Sequence, residues 1–256
     1  MSFLYNKVAH NKNQYAGCIG KEKNMYDFLL SSVKTHYEVI KELKSGPRGS
    51  IRLLRHKETG KRFIFRTYQG NAEVYRKLLE ITSPHLPEIL EVGEKDGSVA
   101  VLEEYIQGDT LAALLRADVF SQKEARRLGR QICAGLWALH TLGAVHRDVK
   151  AENVILRGDQ AVLIDFDASR LVKEQNTTDT LVLGTTGYAA PEQYGIAQSD
   201  RRTDIYAMGV LLNILCTGRH PSEVPAKGHL GRVIRKCTMM SPDNRYQDVL
   251  SLMEAL

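Results

Sequence analysis

The sequence has little that would cross-link it, hold zinc or carry it through a membrane. Its 256 residues include four cysteines, Cys18, Cys133, Cys216 and Cys237, which lie far apart with no CxxC pair and no clustered histidine partner. That argues against a disulfide scaffold and a thiolate zinc site, and it fits a reducing cytoplasm. The longest apolar run, Ala207 to Cys216 (AMGVLLNILC), contains Gly and Asn and falls well short of the roughly 20 residues of a membrane helix. The first residues, MSFLYNKVAHNKNQYAG, hold no apolar core followed by a small-residue cleavage site, so a secretory signal is not expected. Charge of one sign is also scarce. The formal net charge is +5, with Lys and Arg scattered along the chain. A nucleic-acid partner is therefore not expected, and an anionic small ligand suits the balance equally well. No internal repeat or low-complexity tract stands out.

What is present is globular. The chain is 43% hydrophobic and 25% charged, enough for one large domain or two lobes of about a hundred residues each. Residues 1–36 are polar and Asn/Lys-rich, with one short amphipathic piece at Tyr26 to Val33, and are expected to form a partly flexible extension. From Tyr37 to about Tyr105 strands are expected. YEVIKEL, SIRLLRH and KRFIFRTY are rich in β-branched and aromatic residues and are separated by turn signals at SGPRG and KETG. A helical segment interrupts between Asn71 and Ile81, and VAVLEEY returns to strand. After Gln107-Gly108-Asp109 the pattern turns helical. Ser121 and Glu124 form a capping box, and Leu128, Ile132, Leu136 and Leu139 follow at helical spacing. A second buried helix is expected from Asp204 to Thr217, stopped by Gly218, with short amphipathic helices closing the chain. The sequence thus divides into an extension (1–36), a sheet-rich small lobe (37–105) and a helical larger lobe (106–256).

The densest polar stretch is His146-Arg147-Asp148-Val149-Lys150-Ala151-Glu152-Asn153, directly before the apolar Val154-Ile155-Leu156. Such a loop is costly to bury unless its charges face a ligand. Downstream, VLIDFDA ends an apolar run in two carboxylates, Asp165 and Asp167. H-R-D-x-K-x-x-N followed by D-F-x resembles the signature of eukaryotic-like serine/threonine protein kinases. GTTGYAAPE (184–192) is similar to the family's GTxxYxAPE segment. Asp204 to Gly209 matches D-x-x-x-x-G, and Arg245 sits where an arginine pairs with the APE glutamate, here Glu192. The resemblance covers about Tyr37 to Leu256, and GYAAPEQYG looks like bacterial members more than animal ones.

The resemblance implies an α+β, bilobal fold: an antiparallel sheet with one helix in the small lobe and a mainly helical large lobe. It implies transfer of the γ-phosphoryl group of ATP, with Mg2+ or possible Mn2+, to Ser/Thr hydroxyls of a protein. Asp148 would orient the hydroxyl and accept its proton, Lys150 would contact the moving phosphate, and Thr185 would brace both. Asn153 and Asp165 would hold the metal, with Phe166 packed against His146. Arg147 would meet a phosphate on the activation segment, where Thr177, Thr178 and Thr180 offer sites for autophosphorylation. The nucleotide positions implied are Gly46, Gly49, Ile51, Ile64, Arg66, Glu73, Glu103, Glu104, Ile106 and Ile155.

The small lobe departs from the family's pattern. Its Gly-rich register reads KSGPRGSI (44–51), with Lys44 at the first glycine and Pro47 removing an N–H. Arg66 replaces the phosphate-positioning lysine, a larger planar fork for a compact ammonium. Ile64 stands where a small residue usually roofs the adenine. The helix glutamate is ambiguous: a gap-free count puts Val74 in its slot and Leu78 in an apolar one, while Glu73 needs an insertion. Glu103 occupies a usually apolar gate position, and Arg66 is expected to pair with Glu103, with Glu73 or with both; the alternative has Arg66 and Glu103 pointing outward. Asp167 stands in the usual glycine slot, where tolerance of the left-handed region would preserve the turn. These departures leave two other readings open: a pseudokinase that binds nucleotide or acts as a scaffold, and a kinase-fold enzyme acting on a small molecule.

Overall fold

The computed structural model describes residues 25–47, 49–172, 187–194 and 199–256. The chain divides into two compact units: one runs to Ala72 and includes Glu91–Leu102, and the other takes Glu73–Leu90 and Glu103–Leu256.

The first unit opens with helix α1 (Met25–His36), which contains the amphipathic piece read from the sequence and buries Leu29 and Val33 on one face. Asp27 in its first turn and Lys34 and His36 in its last complement the helix dipole. Strands β1 (Tyr37–Gly46), β2 (Gly49–His56), β3 (Arg62–Gln69), β4 (Ile89–Lys95) and β5 (Ser98–Glu104) form a sheet in the order β1-β2-β3-β5-β4. β1 and β3 both run antiparallel to β2, with Gly46 opposite Gly49 and Ile51 opposite Arg66. β4 was not anticipated, and a glycine, Gly93, stands in its middle. The reason is tertiary: a Cβ on Gly93 would lie 2.6 Å from the Cα of Tyr26, so α1 approaches the strand too closely for any side chain. β4 and β5 are joined through Asp96 and Gly97, both at positive φ (50° and 75°), as a tight hairpin turn of this hand requires.

The second unit is mainly helical, and the mixed α+β class implied by the resemblance holds. Its helices are α2 (Glu73–Leu78), α3 (Leu111–Leu114), α4 (Gln122–Thr141), α5 (Arg201–Thr217), α6 (Gly228–Cys237) and α7 (Val249–Ala255). The helix expected between Asn71 and Ile81 is only six residues long. α4 starts at the anticipated capping box, in which Ser121 Oγ accepts from Glu124 N–H and Glu124 accepts from Ser121 N–H. Leu128, Ile132, Leu136 and Leu139 are fully buried along it. α5 begins three residues earlier than its sequence pattern suggested, because Asp200 rather than Asp204 caps it by accepting from Arg202 N–H. Two small ladders complete the unit: β6 (Asp109–Thr110), β8 (Val154–Arg157) and β9 (Gln160–Leu163) in the order β6-β8-β9, and β7 (Ala144–Val145) beside β10 (Arg170–Leu171).

Candidate functional site

The polar loop 146–153 leaves β7 and is anchored from α5. Asp204 is wholly buried and accepts from the N–H groups of His146 (2.9 Å) and Arg147 (2.8 Å) and from His140 Nε2 (2.8 Å). Burial, the largest influence, pushes the Asp204 carboxyl upward. The hydrogen bond and charge of His140, with those of His146, outweigh it and leave the carboxyl below the usual carboxylate range. With its amide pinned, Arg147 takes a left-handed backbone (φ 69°) and its side chain is buried. His146 is buried and held neutral: burial lowers its pKa against the opposing pull of Asp204, Asp165 and Asp148. Its Nδ1 accepts from Asp148 N–H at 3.3 Å, which puts the ring proton on Nε2, 3.2 Å from the Ile164 carbonyl.

The turn made by that bond presents Asp148 to one side. Lys150 Nζ donates to Asp148 Oδ2 at 2.7 Å, and Asn153 Nδ2 donates to both Asp148 O and Oδ2 at 2.9 Å. The carboxylate is therefore fixed in direction and charge-compensated while remaining partly exposed. Both donor hydrogens of Asn153 are engaged, so its amide oxygen faces away from Asp148. The Asn153 carbonyl accepts from Ile164 N–H at 2.9 Å, which brings Asp165 alongside. An amide oxygen and a carboxylate are hard oxygen donors, and two protein ligands are what Mg2+ accepts when phosphate and water fill the rest. Among the described residues no group of three or more His, Cys, Asp or Glu side chains is gathered for a metal. The donor set thus fits Mg2+ bound together with phosphates rather than a closed structural site.

Phe166 packs against His146 as expected, with ring centroids 5.3 Å apart. The left-handed residue in this turn is Asp165 (φ 69°), not Asp167, so the expected backbone argument for Asp167 does not apply. Asp167 is instead met by Tyr75 of α2, whose phenol donates to it at 2.9 Å. In α2, Val74, Tyr75 and Leu78 are buried and Glu73 is exposed. Lys77 reaches the Leu142 carbonyl at 3.0 Å. That burial suits the gap-free register with Leu78 in the apolar slot. Tyr75 belonged to neither candidate register, and no sequence signal marked it.

Among the other site candidates, Gly49 has φ +144°, and a Cβ there would meet the Thr67 carbonyl oxygen at 1.9 Å; Gly46 has open space. Ile51 and Ile64 are half-buried on β2 and β3. Arg66 and Glu103 are 2% and 3% exposed, so the arrangement with both pointing outward does not occur. Glu104 is bonded by Arg157 at 2.8 Å and accepts from Glu88 N–H at 3.2 Å. Ile106 is buried and Ile155 is half-buried on β8. Thr185, Thr177, Thr178 and Thr180 lie outside the described residues.

Beyond the loop, the anticipated pair forms: Arg245 donates to Glu192 at 2.7 and 2.9 Å. Gln193, which the sequence did not single out, ties this segment to the loop. Its Oε1 accepts from Ala190 N–H at 3.0 Å, and its Nε2 donates to the Arg147 carbonyl at 2.9 Å.

Comparison with known proteins agrees with this geometry. Residues 37–252 match the sequence family described as protein kinase domain. A serine/threonine-protein kinase of Myxococcus xanthus is 31% identical over 208 residues, covering 74% of this chain and 25% of that protein. One from Arabidopsis thaliana is 33% identical over 201 residues, covering 74% of this chain and 56% of its own length. One from Mycobacterium tuberculosis is 32% identical over 200 residues, covering 72% and 30% respectively. This chain therefore spans less than two thirds of each of these relatives.

Proposed function

The chain belongs to the protein kinase domain family, and from that premise we propose that it transfers the γ-phosphoryl group of ATP, with Mg2+, to serine or threonine hydroxyls of a protein. The observation that carries this reading is the Asp148 carboxylate, held by Lys150 and Asn153, beside a turn that supplies Asp165. Asp148 orients the hydroxyl of the protein substrate and takes its proton as the new P–O bond forms and the bond to ADP breaks. Lys150, whose ammonium sits 2.7 Å from Asp148, keeps positive charge where the phosphoryl group passes. Asn153 and Asp165 would hold Mg2+, which when bound neutralises phosphate charge. Thr185 is assigned to bracing Asp148 and Lys150, and Arg147 to a phosphate on the activation segment, with Thr177, Thr178 or Thr180 as autophosphorylation sites.

Gly46, Gly49, Ile51, Ile64, Arg66, Glu73, Glu103, Glu104, Ile106 and Ile155 are proposed to contact the nucleotide or support those contacts. The steric demand at Gly49 favours the Gly-rich register. A scaffold without transfer activity finds no support in relatives that are named as kinases. Among the described residues no helix is long and apolar enough to cross a membrane, and Cys133, Cys216 and Cys237 are free; both suit the cytoplasmic location we propose. The test is phosphate incorporation from γ-labelled ATP into a protein substrate with Mg2+ or Mn2+, using Asp148→Asn as the control. Label on protein well above that control is expected. No label above it would sink the kinase reading, and label only on a metabolite would redirect it to a small-molecule acceptor.

A further inference from the structure

A single phenol meets the two residues that follow Asp165. Tyr75 donates to Asp167 Oδ1 at 2.9 Å and accepts from Phe166 N–H at 3.3 Å. The Tyr75 ring also stands edge-on to Phe166, with centroids 5.9 Å apart and planes at 88°. Tyr75 is wholly buried, and Phe166 is 2% exposed. Each residue is unusual alone: a polar hydroxyl on the buried face of a short helix, and a carboxylate in a turn where the family favours glycine. Together they explain each other. A phenol buried at this position needs a partner, and a carboxylate is the stronger acceptor for it. Glycine at 167 would offer no acceptor, and phenylalanine at 75 neither donor nor acceptor.

Asp165 itself holds a left-handed backbone (φ 69°), a conformation that persists in a non-glycine residue only where the surroundings over-determine it. The His146 carbonyl accepts from Ser169 Oγ at 3.2 Å on the far side of the turn, and Tyr75 fixes the near side. We propose that Tyr75 and Asp167 are positioning residues: a latch between α2 and the 165–167 turn that holds the Asp165 carboxylate in one direction. Neither side chain touches the reacting groups; they act through Asp165. The functional consequence rests on the reading of Asp165 as the metal ligand, whereas the latch itself does not.

The two claims are separable by experiment on the whole chain. Hydrogen–deuterium exchange without nucleotide reads the Phe166 amide directly. Tyr75→Phe and Asp167→Gly should each speed its exchange several-fold, Asp167→Asn should keep protection because its amide oxygen still accepts from the phenol, and the Tyr75→Phe/Asp167→Gly double variant should be no worse than the worse single. Water-proton relaxation during Mn2+ titration in the presence of ATP reads the second claim. Tyr75→Phe and Asp167→Gly should raise half-saturating Mn2+ several-fold, with Asp167→Asn near the wild type. Unchanged exchange in Tyr75→Phe overturns the latch. Faster exchange with unchanged Mn2+ binding overturns the positioning role and leaves a packing contact. Absence of phosphoryl transfer by the wild type would defeat the kinase reading while both measurements still decide the latch. Should Tyr75→Phe fail to fold, the contrast between Asp167→Gly and Asp167→Asn decides it alone.

Discussion

Arg245 grips Glu192 through two hydrogen bonds of 2.7 and 2.9 Å, and both side chains are buried. Its remaining donors reach the carbonyls of Met239, Met240 and Arg202, while Thr203 adds a bond to Glu192 at 3.0 Å. Removing one partner would leave a buried charge uncompensated. Arg245→Met is expected to cost about 3–5 kcal/mol in urea unfolding. Arg245→Met with Glu192→Leu should recover a substantial part of that loss, because no lone charge then remains.

Asp204 should matter to turnover without touching substrate. It orders three donors around one carboxylate, and Asn at this position would turn an N–H2 group toward N–H donors. Asp204→Asn should lower stability by about 1.5–3 kcal/mol, the range for a charged hydrogen bond. Steady-state kinetics should show kcat falling while KM for ATP stays close to wild type, since the displaced group is the Asp148 loop.

Gly46 and Gly49, paired at the ends of β1 and β2, should respond differently to the same substitution. Gly49→Ala would drive a Cβ into the Thr67 carbonyl at a φ of +144°, a conformation whose strain is about 1–3 kcal/mol before any clash. Gly46→Ala meets nothing within 4 Å and should leave the thermal midpoint nearly unchanged. Differential scanning fluorimetry of the two variants decides the point, and equal losses would contradict the turn geometry.

Acid should weaken the fold in two stages. Burial holds His146 below its ordinary 6.5. The unfolded chain therefore binds a proton there that the folded chain refuses, and stability declines as pH drops below 6.5. Asp204 sits below its ordinary 3.8 despite burial, because His140 and His146 favour its charged form. Its contribution is present above 3.8 and is lost as pH falls through its folded pKa. The thermal midpoint should fall from pH 7 to pH 5, and His146→Phe should flatten that part of the profile. An identical slope in the variant would remove His146 from the account.

The polar loop could be singled out because its residues are close in sequence. His146 to Asn153 stood out by residue type and spacing, with its proposed roles implied by the resemblance, and so did the capping box at Ser121 and Glu124 and the stop at Gly218. Their governing interactions span a few residues, or one helical repeat. The Arg245–Glu192 pair was also legible, through the resemblance of the segments around it. What the sequence could not decide was which distant group answers each local peculiarity. Strand β4 went unread, and the glycine within it, Gly93, is where α1 lies against the strand. Asp167 looked like a backbone problem, and Tyr75, 92 residues away, makes it a side-chain bond. Asp204 read as a helix start, yet its carboxylate holds amides 57 and 58 residues upstream. Periodicity and capping report forces that act along the chain; close approach and buried hydrogen bonding act across it. Residue types, capping and helical repeats were therefore legible in the sequence alone, and the bonds from Tyr75 to Phe166 and Asp167 were decided only once packing brought them together.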